Sequence, residues 1–260
     1  MLYYNKLLYY NIFMKNRIQT YITVLIFSLI SLVSSTNAEV KVVTSIKPIH
    51  SLVSYIMDGV EKPDVMVDGY NSPHNFTLKP SHAKMLENAD LVIWVGEDLE
   101  TFLEKPLNTI AKKAKKIEVM DLKGIQKLEF REKNIFEKHD DHKEKNGHKE
   151  HDGHEGHAHG KYDPHVWLDP INAKVIIKEI TNQLIQLDSK NSSTYKSNSE
   201  LALADIDKLL KDTKKKLNKD LRFVVFHDAY QYFENRFDIQ VLGALTVNTD
   251  VMPGAEQLSE

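Results

Sequence analysis

The stretch VKVVTSIKPIHSLVSYIM, residues 40–57, decides the fold class of this chain. Its first half is apolar and rich in β-branched residues, which predicts a strand over residues 40–44. Its second half predicts a helix over residues 48–57. Pro48 stands at the start of that helix, where its missing N–H has no intrahelical partner to lose. A strand followed at once by a helix is the repeating unit of α/β proteins.

The same alternation returns along the rest of the chain. Further strands are predicted over residues 65–67, 91–95, 117–120, 223–226 and 239–243. Further helices are predicted over residues 82–88, 99–113, 171–187, 195–217 and 229–237. The pattern favours an α/β fold with mainly parallel sheets flanked by helices. The helix over residues 195–217 would extend about 35 Å, which suits an element that connects two lobes.

The N-terminus has the pattern of an export signal. Basic residues within the segment 15–17 precede an apolar run over residues 21–33 and small, polar residues up to Ala38. This order of charged, apolar and small residues is typical of a secretory signal, and the run is short for a membrane span. We therefore expect a signal peptide over residues 1–38, with residues 1–13 as an upstream extension. A retained membrane anchor is the alternative.

Composition limits the chemistry available to the chain. The 260 residues carry a formal net charge of −3, which gives no electrostatic reason to expect nucleic acid as a partner. The sequence contains no cysteine, so disulfides and thiolate metal sites are excluded. It also contains no Gly-rich phosphate loop and no G-x-S-x-G motif. Any metal site must therefore use histidine, aspartate and glutamate.

Three histidines stand in contexts that favour ligand binding. His74 follows the strand predicted at 65–67, His227 directly follows the strand at 223–226, and His165 lies in the motif DPHVWLDP, residues 163–170. Ligands in open α/β sheets bind outside the carboxyl ends of strands. Three neutral imidazoles suit a borderline-soft ion such as Zn²⁺. Ordinary loop histidines are one alternative, and the three-histidine site of a metal-dependent hydrolase is another.

Neighbouring residues strengthen the prediction of a metal site. Proline precedes both His74 and His165, and it restricts the backbone that carries each ring. Asp163, Asp169 and Asp228 flank the histidines in sequence. A carboxylate is a common partner of the second ring nitrogen in a metal-bound imidazole, so we expect these aspartates to orient the rings.

A separate histidine-rich segment interrupts the α/β pattern. Residues 139–159 read HDDHKEKNGHKEHDGHEGHAH, within a polar loop that we place at residues 137–160. Such a segment has too few apolar residues to fold alone, and histidine-rich tracts are candidates for metal binding. The candidate secondary ligands are His139, His142, His148, His151, His154, His157 and His159. A solvated loop without a metal-binding role is the alternative.

Several motifs together resemble one protein family. The segments PHNFTLKPS (73–81), ADLVIWVG (89–96), DPHVWLDP (163–170), FHDAYQYF (226–233) and PGA (253–255) are similar to motifs of the ABC-transporter solute-binding proteins for zinc and manganese. The resemblance covers residues 40–260. It implies two α/β lobes joined by one long rigid helix, with the metal held between the lobes by His74, His165 and His227.

The resemblance also implies boundaries and partners. The first lobe would cover residues 39–190, the linking helix 191–218 and a partial second lobe 219–260, because family members continue for some tens of residues further. We expect a periplasmic, monomeric, non-enzymatic protein that delivers Zn²⁺ to an ABC-transporter permease in the inner membrane.

The choice of metal depends on two features of the sequence. Manganese-binding members typically have glutamate where this chain has His227, and they usually lack the histidine-rich loop. Both features favour zinc. A manganese or broad divalent-metal binder of the same family is the alternative.

Overall fold

A four-stranded, wholly parallel sheet forms the first part of the fold. Its strands are β1 (Val42–Ile46), β2 (Asp64–Val67), β3 (Leu91–Trp94) and β4 (Lys115–Glu118), in the spatial order β2-β1-β3-β4. The computed structural model describes residues 39–131, 160–220 and 222–246, together with the isolated positions 14 and 19.

The strand order places a ligand-binding edge at the carboxyl ends of the strands. Thr44 of β1 lies opposite Val65 of β2 on one side and Ile93 of β3 on the other. The chain therefore adds β2 on one side of β1 and then crosses to add β3 and β4 on the other side. At such a reversal the loops that follow the neighbouring strands turn apart and leave a crevice. The turn that carries His74 follows the carboxyl end of β2.

Helices cover the sheet because each strand must cross back to run parallel to the next. Helix α1 (Lys47–Ile56), α2 (Pro80–Asn88) and α3 (Glu104–Thr109) form these connections. Helix α1 buries Ile49, Val53 and Ile56 completely. The spacing of three and four residues puts the three side chains on one face, which packs into the core.

Two longer helices complete the same core. Helix α4 (Pro170–Leu187) is followed by α5 (Ser192–Lys216), a helix of 25 residues. Both pack against α1. The Asn198 side chain of α5 donates hydrogen bonds to the carbonyls of Ile56 and Asp58 at the end of α1, at 3.0 and 2.9 Å. These contacts satisfy carbonyl groups that the end of a helix leaves without intrahelical partners.

A second parallel sheet follows α5. Strands β5 (Val224–His227) and β6 (Gly243–Thr246) pair side by side, and α6 (Gln231–Phe237) connects them. His227 is the last residue of β5 and lies opposite Thr246. The two parallel sheets, their flanking helices and the long helix confirm the predicted fold class.

Most predicted elements occur within a few residues of their predicted bounds, but two predictions were wrong. The helix predicted over 99–113 is a 3₁₀ turn, Thr101–Leu103, followed by the short α3. The strand predicted over 239–243 begins only at Gly243. Val241 donates its N–H to the buried carboxylate of Glu234 at 3.0 Å, so this group does not bond a neighbouring strand.

Some predictions lie outside the described residues. These are the histidines between positions 139 and 159 and, apart from positions 14 and 19, the signal peptide over residues 1–38. The long helix runs close to the predicted range of 191–218, while the division into lobes stays a prediction. No helix in the described ranges is both long and apolar enough to cross a membrane.

Candidate metal centre

The three predicted histidines converge although they come from distant parts of the chain. His74 lies in the turn between β2 and α2, His165 precedes the 3₁₀ turn Val166–Leu168, and His227 ends β5. Each offers one ring nitrogen such that the three atoms lie within 4.8 Å of one another. Within the described ranges, this is the one group of three or more histidines, aspartates or glutamates found close enough to hold a metal ion.

The separation of the nitrogens matches the size of a zinc site. The Nε2 atoms of His165 and His227 lie 3.2 Å apart. Two nitrogens bound at about 2.0–2.1 Å to a tetrahedral ion are about 3.3 Å apart. The His74 ring lies 5.8 Å from that of His165 and 5.4 Å from that of His227, between ring centroids. One ion can therefore reach all three rings with small side-chain adjustments.

His165 is held in one tautomer by its neighbour. The Asp163 carboxylate accepts hydrogen bonds from His165 Nδ1 at 2.7 Å and from the His165 backbone N–H at 2.9 Å. Both residues are buried, with 1% of Asp163 and 5% of His165 exposed. Because Nδ1 carries the proton, the lone pair lies on Nε2, the atom that points toward His227.

His227 is kept neutral by its surroundings. Burial, together with the smaller effect of the nearby His165, lowers the pKa of His227 to about 4, and Asp163 acts in the opposite direction. A neutral imidazole has a lone pair to offer a metal. Its Nδ1 atom is buried and has no hydrogen-bond partner among the described residues. With the lone pair of His165 on Nε2, the facing Nε2 of His227 donates the hydrogen bond between the two rings. A metal ion bound at His227 Nε2 would require the ring to carry its proton on Nδ1 instead.

The predicted role of the flanking aspartates is correct for Asp163 and wrong for the other two. Asp169 caps α4 by accepting the Ile171 N–H at 2.8 Å, and it pairs with Arg236 at 2.6 Å. The Asp228 carboxylate binds the Arg131 guanidinium instead of an imidazole. An N-cap and a buried salt bridge satisfy these carboxylates, so neither accepts a hydrogen bond from a histidine ring.

Sequence analysis missed the residues that hold α6 against the site. The Tyr232 hydroxyl donates to the Asp163 carbonyl at 2.6 Å and accepts the Leu128 N–H at 3.0 Å. Gln231 donates to the second Asp163 carboxylate oxygen at 3.3 Å. Both residues lie in the FHDAYQYF segment that the resemblance singled out, so the segment was identified but not the contacts.

Comparison with known proteins places the chain in a family. Residues 42–260 match the family model described as zinc-uptake complex component A, periplasmic. The chain belongs to this family. The match confirms the family predicted from the motifs. A component of a zinc-uptake complex binds zinc as its transported ligand, and as a periplasmic component it acts outside the cytoplasm.

Individual relatives agree with the family assignment. The high-affinity zinc uptake system protein ZnuA of Brucella abortus is 42% identical over 237 residues, which cover 84% of this chain and 71% of the relative.

Solved structures agree in fold. A crystal structure of ZnuA superposes with a TM-score of 0.67 at 24% identity, covering 85% of this chain and 76% of that one. A zinc-bound AdcAII variant of Streptococcus pneumoniae gives a TM-score of 0.65 at 23% identity, covering 85% and 74%.

Proposed function

We propose that the chain captures one Zn²⁺ ion on His74, His165 and His227 and delivers it to a membrane permease. The observation that carries this proposal is the convergence of three imidazole nitrogens within 4.8 Å of one another. Three nitrogen ligands leave one tetrahedral position for water or a carboxylate. An incompletely enclosed ion suits a carrier, because the cargo has to leave again.

The donor set favours zinc over manganese. Imidazole is a ligand of intermediate softness, whereas Mn²⁺ prefers carboxylate, carbonyl and water oxygens. All three converging side chains are histidines. His74, His165 and His227 are therefore the residues that would select zinc as the bound metal.

Zinc titration of single variants tests the ligand set. His74→Ala, His165→Ala and His227→Ala should each weaken zinc binding strongly in competition with a chelating dye. His50→Ala is a matched control, because this ring lies in α1 and contacts the Pro63 carbonyl at 3.1 Å. Wild-type affinity in both His165→Ala and His227→Ala would exclude the proposed site. Preference for Mn²⁺ in a mixed-metal titration would favour the manganese alternative.

Delivery to a permease is a second part of the proposal. Its support is the family description of a complex component, since a capture protein needs a transmembrane partner to move its cargo. The export signal predicted over residues 1–38 would place the mature chain in the periplasm, where we expect it to act as a monomer. Delivery can be tested by comparing the zinc-dependent growth of cells that carry the wild-type protein with that of cells that carry His227→Ala. Turnover of hydrolase substrates by the zinc-loaded protein would instead favour the enzymatic alternative.

The histidine-rich loop would bind additional zinc more weakly. Imidazoles on a glycine- and charge-rich chain can assemble sites without fixed geometry. Deleting residues 139–159 should lower the total zinc bound per chain and leave one tight site. If calorimetry shows that the tight site is lost as well, the loop supplies primary ligands and the three-histidine assignment is wrong.

A further inference from the structure

Arg131 joins two buried carboxylates through one guanidinium group. Its Nε and Nη2 atoms donate to Asp228 at 3.1 and 2.6 Å, and its Nη1 and Nη2 atoms donate to Glu234 at 3.1 and 2.7 Å. The carboxylate side chains are 5% and 7% exposed, and the Arg131 side chain is 21% exposed. Charge-assisted contacts of this two-pronged kind fix direction as well as distance.

Asp228 is the residue that follows His227, so this contact acts on a predicted metal ligand. The His227 ring has no hydrogen-bond partner for Nδ1 among the described residues. The His165 ring, by contrast, is fixed through its own Nδ1 by Asp163. The His227 Nε2 atom contacts His165 Nε2 at 3.2 Å, but a bound ion would replace that contact. In the metal-bound protein, the orientation of His227 would therefore depend on the backbone and on the residues on either side of it.

The other end of the contact is fixed to the segment that carries His165. Phe130, next to Arg131, donates its N–H to the Lys161 carbonyl at 3.3 Å, and Asp163 donates its N–H to the Leu128 carbonyl at 2.9 Å. These bonds belong to a short antiparallel pairing that leads directly into His165. Arg131 therefore connects the backbone of one predicted ligand to the backbone of another.

We infer that Arg131 is a positioning residue for zinc capture, which holds His227 at the distance from His165 that one ion requires. This inference rests on the proposed three-histidine site. Without the guanidinium, the turn after β5 would lose its side-chain anchor. The Nε2 atoms, now 3.2 Å apart, would then no longer be held at tetrahedral spacing.

Two variants of Arg131 test the inference in the full-length protein. Arg131→Lys keeps the charge and loses the two-pronged contact, while Arg131→Gln removes both. Zinc affinity should fall by about 10-fold to 100-fold in Arg131→Gln, the range for residues that orient metal ligands, and by less in Arg131→Lys. Arg236→Gln is the matched control, because Arg236 also joins α6 to a buried aspartate, Asp169, but does not contact a neighbour of His227.

Two further measurements separate positioning from a general loss of structure. Combined with His227→Ala, Arg131→Gln should cause no additional loss of zinc affinity, because the ligand that it positions is absent. Cobalt bound to Arg131→Lys should show weaker visible absorption than cobalt bound to the wild type, because a distorted, more highly coordinated site has weaker d–d bands.

Three results would overturn the inference. The first is wild-type zinc affinity together with an unchanged cobalt spectrum in a folded Arg131→Lys protein. The second is a loss of zinc affinity in Arg236→Gln equal to that in Arg131→Gln. The third is an additional loss of zinc affinity when Arg131→Gln is combined with His227→Ala. Failure of the proposed site has a different signature, because His227→Ala itself would then bind zinc as the wild type does.

Discussion

The Nε2 atoms of His165 and His227 lie 3.2 Å apart, although 62 positions separate the two residues in sequence. His165 lies beside a 3₁₀ turn that leads into α4, and His227 ends a strand of the second sheet. The contact joins the two sheet-containing parts of the fold at one point. The binding of a metal ion between these two nitrogens would therefore depend on the structure of both parts.

Exchange of His227 for glutamate should change the choice of metal. A carboxylate oxygen is a harder ligand than an imidazole nitrogen, so the exchange should weaken zinc binding more than manganese binding. We expect the ratio of zinc to manganese affinity to fall by about 10-fold or more in His227→Glu. Competition between the two metals, monitored by metal content after dialysis, measures the ratio. An unchanged ratio would mean that His227 does not determine the choice.

Removal of the Asp163 carboxylate should weaken zinc binding without removing a ligand. In Asp163→Asn the side chain can no longer act as a charged acceptor for His165 Nδ1, so the ring becomes a poorer and less oriented donor. The expected loss of zinc affinity is about 10-fold to 100-fold. Asp207→Asn is a suitable control, since Asp207 pairs with Lys174 on the surface. Equal affinities for the two variants would contradict this role of Asp163.

The buried Glu100 carboxyl should make stability depend on pH. Burial is the main reason that the pKa of Glu100 is raised to about 7, while hydrogen bonds from the backbone N–H groups of Val95 and Gly96 act in the opposite direction. Between about pH 4.5 and pH 7 the folded protein therefore binds more protons than the unfolded chain. The stability contribution is complete below about pH 4.5 and is lost as pH rises through about 7.

A glutamine at position 100 isolates this effect. Glu100→Gln keeps an acceptor for the N–H groups of Val95 and Gly96 and cannot ionise. The free energy of unfolding of the wild type should fall between about pH 5 and pH 8.5 relative to that of the variant, by on the order of 3 kcal/mol. Urea unfolding of metal-free protein at both pH values gives this difference. Parallel pH profiles would show that Glu100 does not titrate in this range.

Loss of the Tyr232 hydroxyl should destabilise the attachment of α6. Tyr232→Phe leaves the Leu128 N–H and the Asp163 carbonyl without their buried partner, which costs about 1–3 kcal/mol. Tyr55→Phe is the matched control: its hydroxyl donates to Asp205 at the surface, where water can replace it. Chemical denaturation compares the two variants. A cost as small as that of Tyr55→Phe would show that the hydroxyl does not anchor α6.

The sequence by itself determined the fold class, the family and the three histidines. The alternation of apolar strands with helices depends on local spacing, and spacing can be read from a single chain. The histidines were recognisable because each lies in a motif near a proline or at the end of a strand. Two element boundaries were wrong because neighbouring tertiary contacts, such as that between Val241 and Glu234, compete with local propensity.

Only the tertiary structure decided how each charged side chain is used. Asp163, Asp169 and Asp228 all flank a histidine in sequence, yet only Asp163 contacts an imidazole. Asp169 caps a helix, and Asp228 binds Arg131, which lies 97 positions away. A carboxylate accepts hydrogen bonds from whichever donor the fold brings within about 3 Å, and sequence spacing does not specify that donor. The spacing of the three imidazoles was fixed in the same way, by packing between distant segments.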